Sequence, residues 1–358
     1  MKELLPDLDT WRAGGADAAR AVVVRMFGSA PRPPGATLLV ATDGRLAGSV
    51  SGGCVEGAAF EEVEEARRTG RSRVIRYGIS DEQAWDVGLA CGGTIDVLVE
   101  PMLRPEVEAA ARSLGQAVIT PLPADAPGPA FGPAGRGEGA APEPALVAEE
   151  SGVFRGTSGD AATDAELQRL AGDILLRGTS RTVEAGGRSW FIEAFPHRPR
   201  LVIVGAVQVA IALVALARTM GYETVVIDGR ATFATRERFP DADQVIVGWP
   251  DELADEIGLG PSDAVAVLTH DVKFDEPAIV AALARGCRYV GAVGSRKTQA
   301  DRRARLLEAG VRPDDLARLR GPIGLDLGGR EPAEMALAIM SEIVAARYGA
   351  SGSPMSVR

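Results

Sequence analysis

Residues 201–217 read LVIVGAVQVAIALVALA. A β-branched run, one glycine and then an alanine- and leucine-rich run form the pattern of a buried strand turning into a buried helix. Gly205 divides the stretch, which is shorter than the ~20 apolar residues that cross a bilayer, so no membrane span is expected. Outward from it, strand signals recur at 224–227, 244–247, 264–268 and 289–292. Helical periodicity lies between them, at about 208–219, 250–257, 275–285 and 296–309, with a last helix at 333–347. Such alternation implies a parallel sheet covered on both faces, so 199–349 is expected to be a Rossmann-like, doubly wound domain. Residues 350–358 are expected to be a disordered tail.

Upstream, PHRP at 196–199 separates two periodic regions. The stretches 37–78 and 145–195 share one grammar: strand, polar turn with glycine, strand, Gly/Ser loop, helix, Arg-rich glycine turn, strand. Residues 117–119 echo 21–24 at the head of each unit. The expectation is an α+β domain over 1–195 built of two repeated halves, about 20–103 and 116–195. The Pro/Gly/Ala-rich stretch 121–144 then becomes a mobile insertion in the second half.

Composition removes whole classes of function. The formal charge is −10 and aromatic residues are 5%, so phosphate neutralisation and base stacking both lack material and no nucleic acid partner is expected. Cys54, Cys91 and Cys287, with His197 and His270, cannot supply the four thiolates of an iron–sulfur cluster or the usual four ligands of structural zinc. No resident metal site is expected, and the odd, sparse cysteines do not form a disulfide framework. With no apolar leader at the N-terminus, the protein is expected to be cytoplasmic. All but three of the 39 basic residues are arginine, a coding bias, so the arginine-rich stretch 302–320 is expected to be a solvated helix face and loop.

Several motifs have both a chemical and a bland reading. Gly205-Ala206-Val207-Gln208 occupies the place of a dinucleotide fingerprint, and Asp228 lies 23 residues after Gly205, where a ribose-binding acid belongs. Val207 stands where the second glycine would let a pyrophosphate approach, so NAD(P) is expected to bind poorly. Gly294-Ser295-Arg296-Lys297 offers helix-start N–H groups, a hydroxyl and two cations to an anion, or simply a Ser N-cap with solvated cations. Thr269-His270-Asp271 ends a strand at the carboxyl edge, where such folds bind ligands, or forms a turn. The cysteines speak more clearly. Cys54 closes Ser51-Gly52-Gly53-Cys54 directly before a helix, and Cys91 opens Cys91-Gly92-Gly93. A thiol at a helix start favours the reactive thiolate, and adjacent glycines admit a bulky ligand and expose backbone donors. Small buried residues in tight loops are the alternative. Cys287, in a helix-to-strand turn, reads as structural.

These residues resemble the xanthine dehydrogenase accessory factors, the XdhC/CoxI family. The resemblance rests on GSAPRPPGATLLVATDGRLAGSVSGGCVEGA (28–58), YGISDEQAWDVGLACGGTIDVLVE (77–100), VLTHDVKFDEPAI (267–279), YVGAVGSRKTQADRRARLLEAG (289–310) and GPIGLDLGGREPAEMALAIMSEIVAAR (321–347). It implies a two-domain, homodimeric chaperone that binds molybdenum cofactor, supports exchange of its oxo ligand for sulfur with a cysteine desulfurase, and hands it to a molybdenum hydroxylase apoenzyme. Gly52, Gly53, Cys54, Cys91, Gly92 and Gly93 would then meet the pterin, phosphate and metal. Gly205, Asp228, Thr269, His270, Asp271, Gly294, Ser295, Arg296 and Lys297 would form the second binding surface. Where the family commonly has Gly-Ala-Gly-His, this chain has Gly205-Ala206-Val207-Gln208, which puts binding at that turn in question. The rival reading is an NAD(P)-dependent oxidoreductase using the C-terminal domain.

Overall fold

The computed structural model describes residues 1–28, 32–78, 93–128 and 134–357. The chain divides into two compact units, Met1–His197 and Arg198–Arg358.

In the first unit, α1 (Leu5–Ala13) precedes β1 (Ala18–Phe27), β2 (Thr37–Ala41), β3 (Leu46–Gly48), α2 (Glu56–Thr69), β4 (Arg73–Gly78) and β5 (Thr94–Glu100). After α3 (Pro105–Ser113) come β6 (Gln116–Pro121), β7 (Gly135–Arg136), β8 (Leu146–Glu149), β9 (Phe154–Arg155), α4 (Ala161–Arg177), β10 (Arg181–Ala185) and β11 (Arg188–Phe195). One sheet runs β3-β2-β1-β5-β4-β7 and the other β10-β11-β6-β8-β9. Taken from its far end, the second repeats the first strand for strand, and the register repeats too. Ala21 lies between Leu38 and Val99, and Val99 faces Arg73. In the second sheet Ile119 lies between Leu146 and Ile192, and Ile192 faces Arg181. The N-terminal unit is therefore an α+β domain of two repeated halves.

Strand periodicity explains its layers. Along β1, Ala19, Ala21 and Val23 pack under Ala59, Val63 and Ala66 of α2. The alternate residues Val22 and Val24 face the other way, onto Leu122 and Phe191 of the second half. In the second half Ala117, Ile119 and Ile192 lie under Leu167, Ala171 and Ile174 of α4. Both faces of each sheet are thus covered, and β1 is buried at its first eight positions instead of alternating.

Charge is buried in this unit as well. Arg20, fully buried, donates from Nη1 to Glu193 Oε2 at 2.8 Å and from Nε to Glu100 Oε2. Arg104 takes the other oxygen of Glu100. Glu100 and Glu193 follow the register-matched pair Val99 and Ile192, so they are equivalent positions of the two halves.

Two features differ from the sequence reading. Stretch 121–144 was expected to be a free excursion, yet β7 within it pairs with β4, and Arg25 and Arg76 donate to the carbonyls of Pro127 and Gly128. An insertion of the second half thereby extends the sheet of the first. Helices α1 and α3 were not read at all; each is nine residues long with Pro near its start, too short for periodicity to stand out.

The second unit holds β12 (Arg200–Val204), α5 (Gln208–Thr219), β13 (Glu223–Asp228), β14 (Gln244–Val247), α6 (Pro250–Glu256), β15 (Ala264–Val267), α7 (Val272–Ala284), β16 (Tyr289–Ala292), α8 (Arg296–Glu308), α9 (Pro313–Ala317), β17 (Leu319–Arg320) and α10 (Pro332–Tyr348). Its sheet runs β14-β13-β12-β15-β16-β17, with every pair parallel. That is the doubly wound Rossmann-like order, reversing between β12 and β15. Helices α5 and α10 cover one face and α7 the other. Beyond α10, Met355–Val357 forms a single 3₁₀ turn.

The arginine-rich stretch 302–320 is exposed along much of its length, but its first two arginines are not solvated. Arg302 is only 3% exposed; it donates to Asp275 Oδ2 at 3.0 Å and to the Val293 carbonyl at 3.0 Å. Arg303 donates to the carbonyls of Leu316 and Leu319. These long side chains tie α8 to its neighbours, and composition alone hid that role.

Candidate functional site

Two places concentrate the candidate residues. The first is the loop from β3 into α2, where Gly52 and Gly53 adopt φ of +85° and +124°. No atom lies within 4 Å of where a Cβ would stand at either glycine. The glycines are there for backbone conformation, not for space.

The loop curls around Glu56, the first residue of α2. Its carboxylate accepts from Ser49 Oγ at 2.5 Å, Ser51 Oγ at 2.6 Å, Gly53 N at 2.8 Å, Ser51 N at 2.9 Å and Gly52 N at 3.1 Å. Partial burial alone would raise the pKa of Glu56, but the hydrogen bonds from Ser49 and Ser51 outweigh it and bring it down to about 2. Cys54 N–H donates to Ser51 Oγ at 2.9 Å, and Cys54 itself is exposed.

This corrects the reading of Gly52 and Gly53. Their N–H groups were expected to be open to a pterin or phosphate, and they are spent on an ionised side chain of the same loop. An incoming anion would meet that charge instead of bare donors. Glu56 itself was missed, although an acid in the first turn of a helix is a legible signal.

The second half supplies an internal comparison. Gly48, Ser49, Glu56 and Gly70 recur 108 positions later as Gly156, Thr157, Asp164 and Gly178. Thr157 Oγ1 donates to Asp164 Oδ2 at 2.7 Å, and Ser158 N to Asp164 Oδ1 at 2.7 Å. Gly70 and Gly178 close α2 and α4 in the left-handed conformation. The same offset sets Ala162 against Cys54, but Ala162 already lies in the first turn of α4, which starts three residues ahead of Asp164, whereas α2 starts at Glu56 itself. An acid of the following helix therefore gathers the loop in both halves, and Cys54 joins the first of them through its N–H, not its thiol.

Cys91 and Gly92 lie outside the described residues; Gly93 is buried just ahead of β5. Cys287 is buried, and desolvation, reinforced by Asp263, pushes its thiol up to about 12, which leaves it inert.

The second place is a cleft of about 580 Å³ in the C-terminal unit, at the carboxyl ends of β12, β15 and β16. Val207, Gln208, His270, Gly294, Ser295 and Met335 line it. Such a crevice at the reversal of strand order is where open α/β sheets bind ligands. The other candidates lie around it in supporting roles. A Cβ at Gly205 (φ +111°) would strike Thr269, so this glycine serves packing. Thr269 turns its hydroxyl onto Asp275, and Asp271 caps α7 by accepting from Lys273 N at 3.0 Å. Ser295 caps α8 through Thr298 N at 3.1 Å. Arg296 and Lys297 are exposed in the first turn of α8.

Asp228 is a correction. It is 2% exposed and accepts from Ala206 N at 2.8 Å, Arg230 N at 2.9 Å and Arg230 Nη2 at 2.7 Å. Burial alone would raise its pKa, but these bonds prevail and lower it. A carboxylate so fully engaged does not receive a ribose hydroxyl. The sequence spacing located the residue correctly at the end of β13, but Arg230, two positions on, folds back over it.

Among the described residues no group of three or more His, Cys, Asp or Glu could hold a metal ion, and no helix is long and apolar enough to cross a membrane.

Two family models match: the XdhC Rossmann domain over residues 201–343, and the XdhC and CoxI family over 11–78. A Bacillus subtilis protein named as a probable xanthine dehydrogenase subunit is 29% identical over 95% of this chain and 96% of its own length. The "Molybdenum cofactor insertion chaperone PaoD" of Escherichia coli is 27% identical over 93% of this chain and 84% of its own. The crystal structure of a xanthine dehydrogenase from Bacillus halodurans has a TM-score of 0.63 at 26% identity, covering 98% of this chain and 97% of that one.

Proposed function

Because this chain belongs to the XdhC and CoxI family, we propose that it is a chaperone that binds molybdenum cofactor and hands it to a molybdenum hydroxylase apoenzyme. In this reading the protein holds the cofactor as cargo while its oxo ligand leaves as water and is replaced by sulfide, which an external thiol reductant releases from the persulfide of a cysteine desulfurase. The likeness to an insertion chaperone over 84% of that protein's length supports the general role. Relatives named xanthine dehydrogenase do not make this chain a complete xanthine dehydrogenase by itself, since three cysteines cannot ligate its iron–sulfur clusters.

The observation that carries the proposal is Cys54. Cys54 is exposed just ahead of α2, on a loop whose internal bonds run to Glu56 and Ser51 and use the Cys54 N–H, not its sulfur. Nothing in the loop's hydrogen bonding calls for sulfur there, whereas a metal already held through sulfur in its own cofactor accepts a further thiolate. Cys91 is the second thiol of the proposal, on the strength of its Cys-Gly-Gly sequence. Each thiol has two conceivable tasks: ligating or orienting the metal, and shielding or passing the labile sulfur.

The NAD(P)-dependent oxidoreductase reading loses support from the same geometry. Val207 stands at the pyrophosphate position and Asp228 is taken by Ala206 and Arg230.

The test is anaerobic purification from a cofactor-producing host, with molybdenum and pterin measured in the native protein and in Cys54→Ser and Cys54→Ala. Thermal unfolding of each variant reports whether it is folded. Retention of molybdenum should fall several-fold in both variants at unchanged melting temperature. Undiminished retention overturns the assignment to Cys54.

A further inference from the structure

The N-terminal unit holds a cleft of about 750 Å³ that none of the candidate site residues lines. Lys2, Arg32, Leu114, Ser180, Glu193 and Phe195 are on its walls. Its size lies within the range of small-molecule sites, and its walls mix apolar surface with a few converging charges.

Three observations point to a ligand. Glu193 is only 2% exposed, and Arg20 takes just its Oε2. The equivalent Glu100 has both oxygens bonded to arginines, Arg20 and Arg104. Oε1 of Glu193 has no hydrogen bond among the described residues and is not sealed from solvent, which leaves an acceptor open on the cleft wall. Burial lowers the Met1 amine, another group on this cleft, and Glu193 is the strongest influence in the opposite direction. Glu193 itself is on the wall of the cleft.

Lys2 and Arg32 are exposed and have no ion pair among the described residues, so two free cations stand together at this cleft in a chain of net charge −10. Leu114, on the same wall, has φ +61°, a conformation that costs a non-glycine residue energy and is retained where the surroundings impose it.

We infer that this cleft binds an organic phosphate whose ring presents adjacent N–H donors. Arg32 and Lys2 meet the phosphate at the rim, and Oε1 of Glu193 accepts from the ring edge below. A 2-amino-4-oxo pyrimidine edge, common to pterins and guanine, offers such donors to a carboxylate. The inference rests on the chaperone reading for its preference of a pterin over guanine. It also answers a difficulty of that reading, since the ionised Glu56 repels a phosphate from the thiol loop. The two places are close along the chain. Gly48 lines the cleft, and the loop it opens curls back so that Gly52 N lies 2.7 Å from Ser49 Oγ. Cys54 follows two residues later.

Calorimetry on the full chain, with neopterin monophosphate, GMP, CMP and inorganic phosphate as probes, tests this directly. Neopterin monophosphate should bind best; CMP, which lacks the paired N–H edge, should bind at least tenfold more weakly, and phosphate alone weaker still. Arg32→Ala, an exposed change, should weaken neopterin monophosphate about tenfold and flatten its salt dependence. Glu193→Gln should erase the preference over CMP; if it fails to fold, the Arg32→Ala result decides. GMP binding as tightly as the pterin keeps the ring-edge chemistry and overturns the pterin preference. Equal binding of CMP, or no change in Arg32→Ala, overturns the inference. Molybdenum retained by the cell-purified protein but unaffected by Arg32→Ala sinks the cleft alone. Probe binding without any retained molybdenum sinks the chaperone reading alone.

Discussion

Replacing Glu56 by glutamine removes the charge around which residues 49–55 are wound. The amide can still accept from one or two of the serines, so the geometry is loosened rather than erased. The carboxyl pKa lies at about 2 against an ordinary 4.5. At ~1.36 kcal/mol per pH unit that is roughly 3 kcal/mol of preference for the ionised form. The site is partly solvated, and screening reduces this to about 1–2 kcal/mol of stability. Because the folded pKa is depressed, this contribution is complete above about pH 4.5. It is lost as pH falls through about 2, where native protein and variant converge. The local readout is amide hydrogen exchange at pH 7. In Glu56→Gln the N–H groups of Ser51, Gly52 and Gly53 should exchange about 5- to 30-fold faster, with little change in the strands of the C-terminal unit. Carboxyl NMR of the native protein should find Glu56 still ionised at pH 3.5. Unchanged exchange at those three amides, or a carboxyl midpoint near 4.5, would refute the reasoning.

Two further outcomes are expected. Arg302→Met should lower stability of the full chain by about 3–5 kcal/mol, seen as a lowered melting temperature, because it strands buried Asp275 without its partner at 3.0 Å; adding Asp275→Asn should recover part of the loss. Titration of NAD(P)H into the native protein should show no micromolar binding, and a micromolar site would contradict the engagement of Asp228 by Arg230 and Ala206.

The duplicated N-terminal unit lets the chain serve as its own comparison. Where the halves agree, as at Glu56 and Asp164 or Gly70 and Gly178, architecture is sufficient explanation. Where they differ, architecture is not enough. The half-satisfied Glu193 against the fully bonded Glu100 is such a difference, and the cleft proposal grows from it.

By itself the sequence determined the order and type of the main elements. Strand and helix periodicities are local properties, so LVIV before Gly205 reads as a strand whatever surrounds it. The repeat was legible for the same reason, since glycines at fixed offsets mark the same turns twice. Tertiary structure alone decided which polar groups are free. A glycine-rich loop before a helix looks like an anion cradle until a side chain of the same helix is found filling it. Asp228 stands where a ribose acid should, until Arg230 closes over it. Arg302 reads as one more surface arginine until Asp275, Gln299 and Val293 surround it. Hydrogen-bond partners and burial are set by distances between residues far apart in sequence, and no local pattern encodes them. The cleft joining Lys2, Arg32, Leu114 and Glu193 is the furthest case, for its walls come from stretches far apart in sequence that meet only once the two halves have packed face to face.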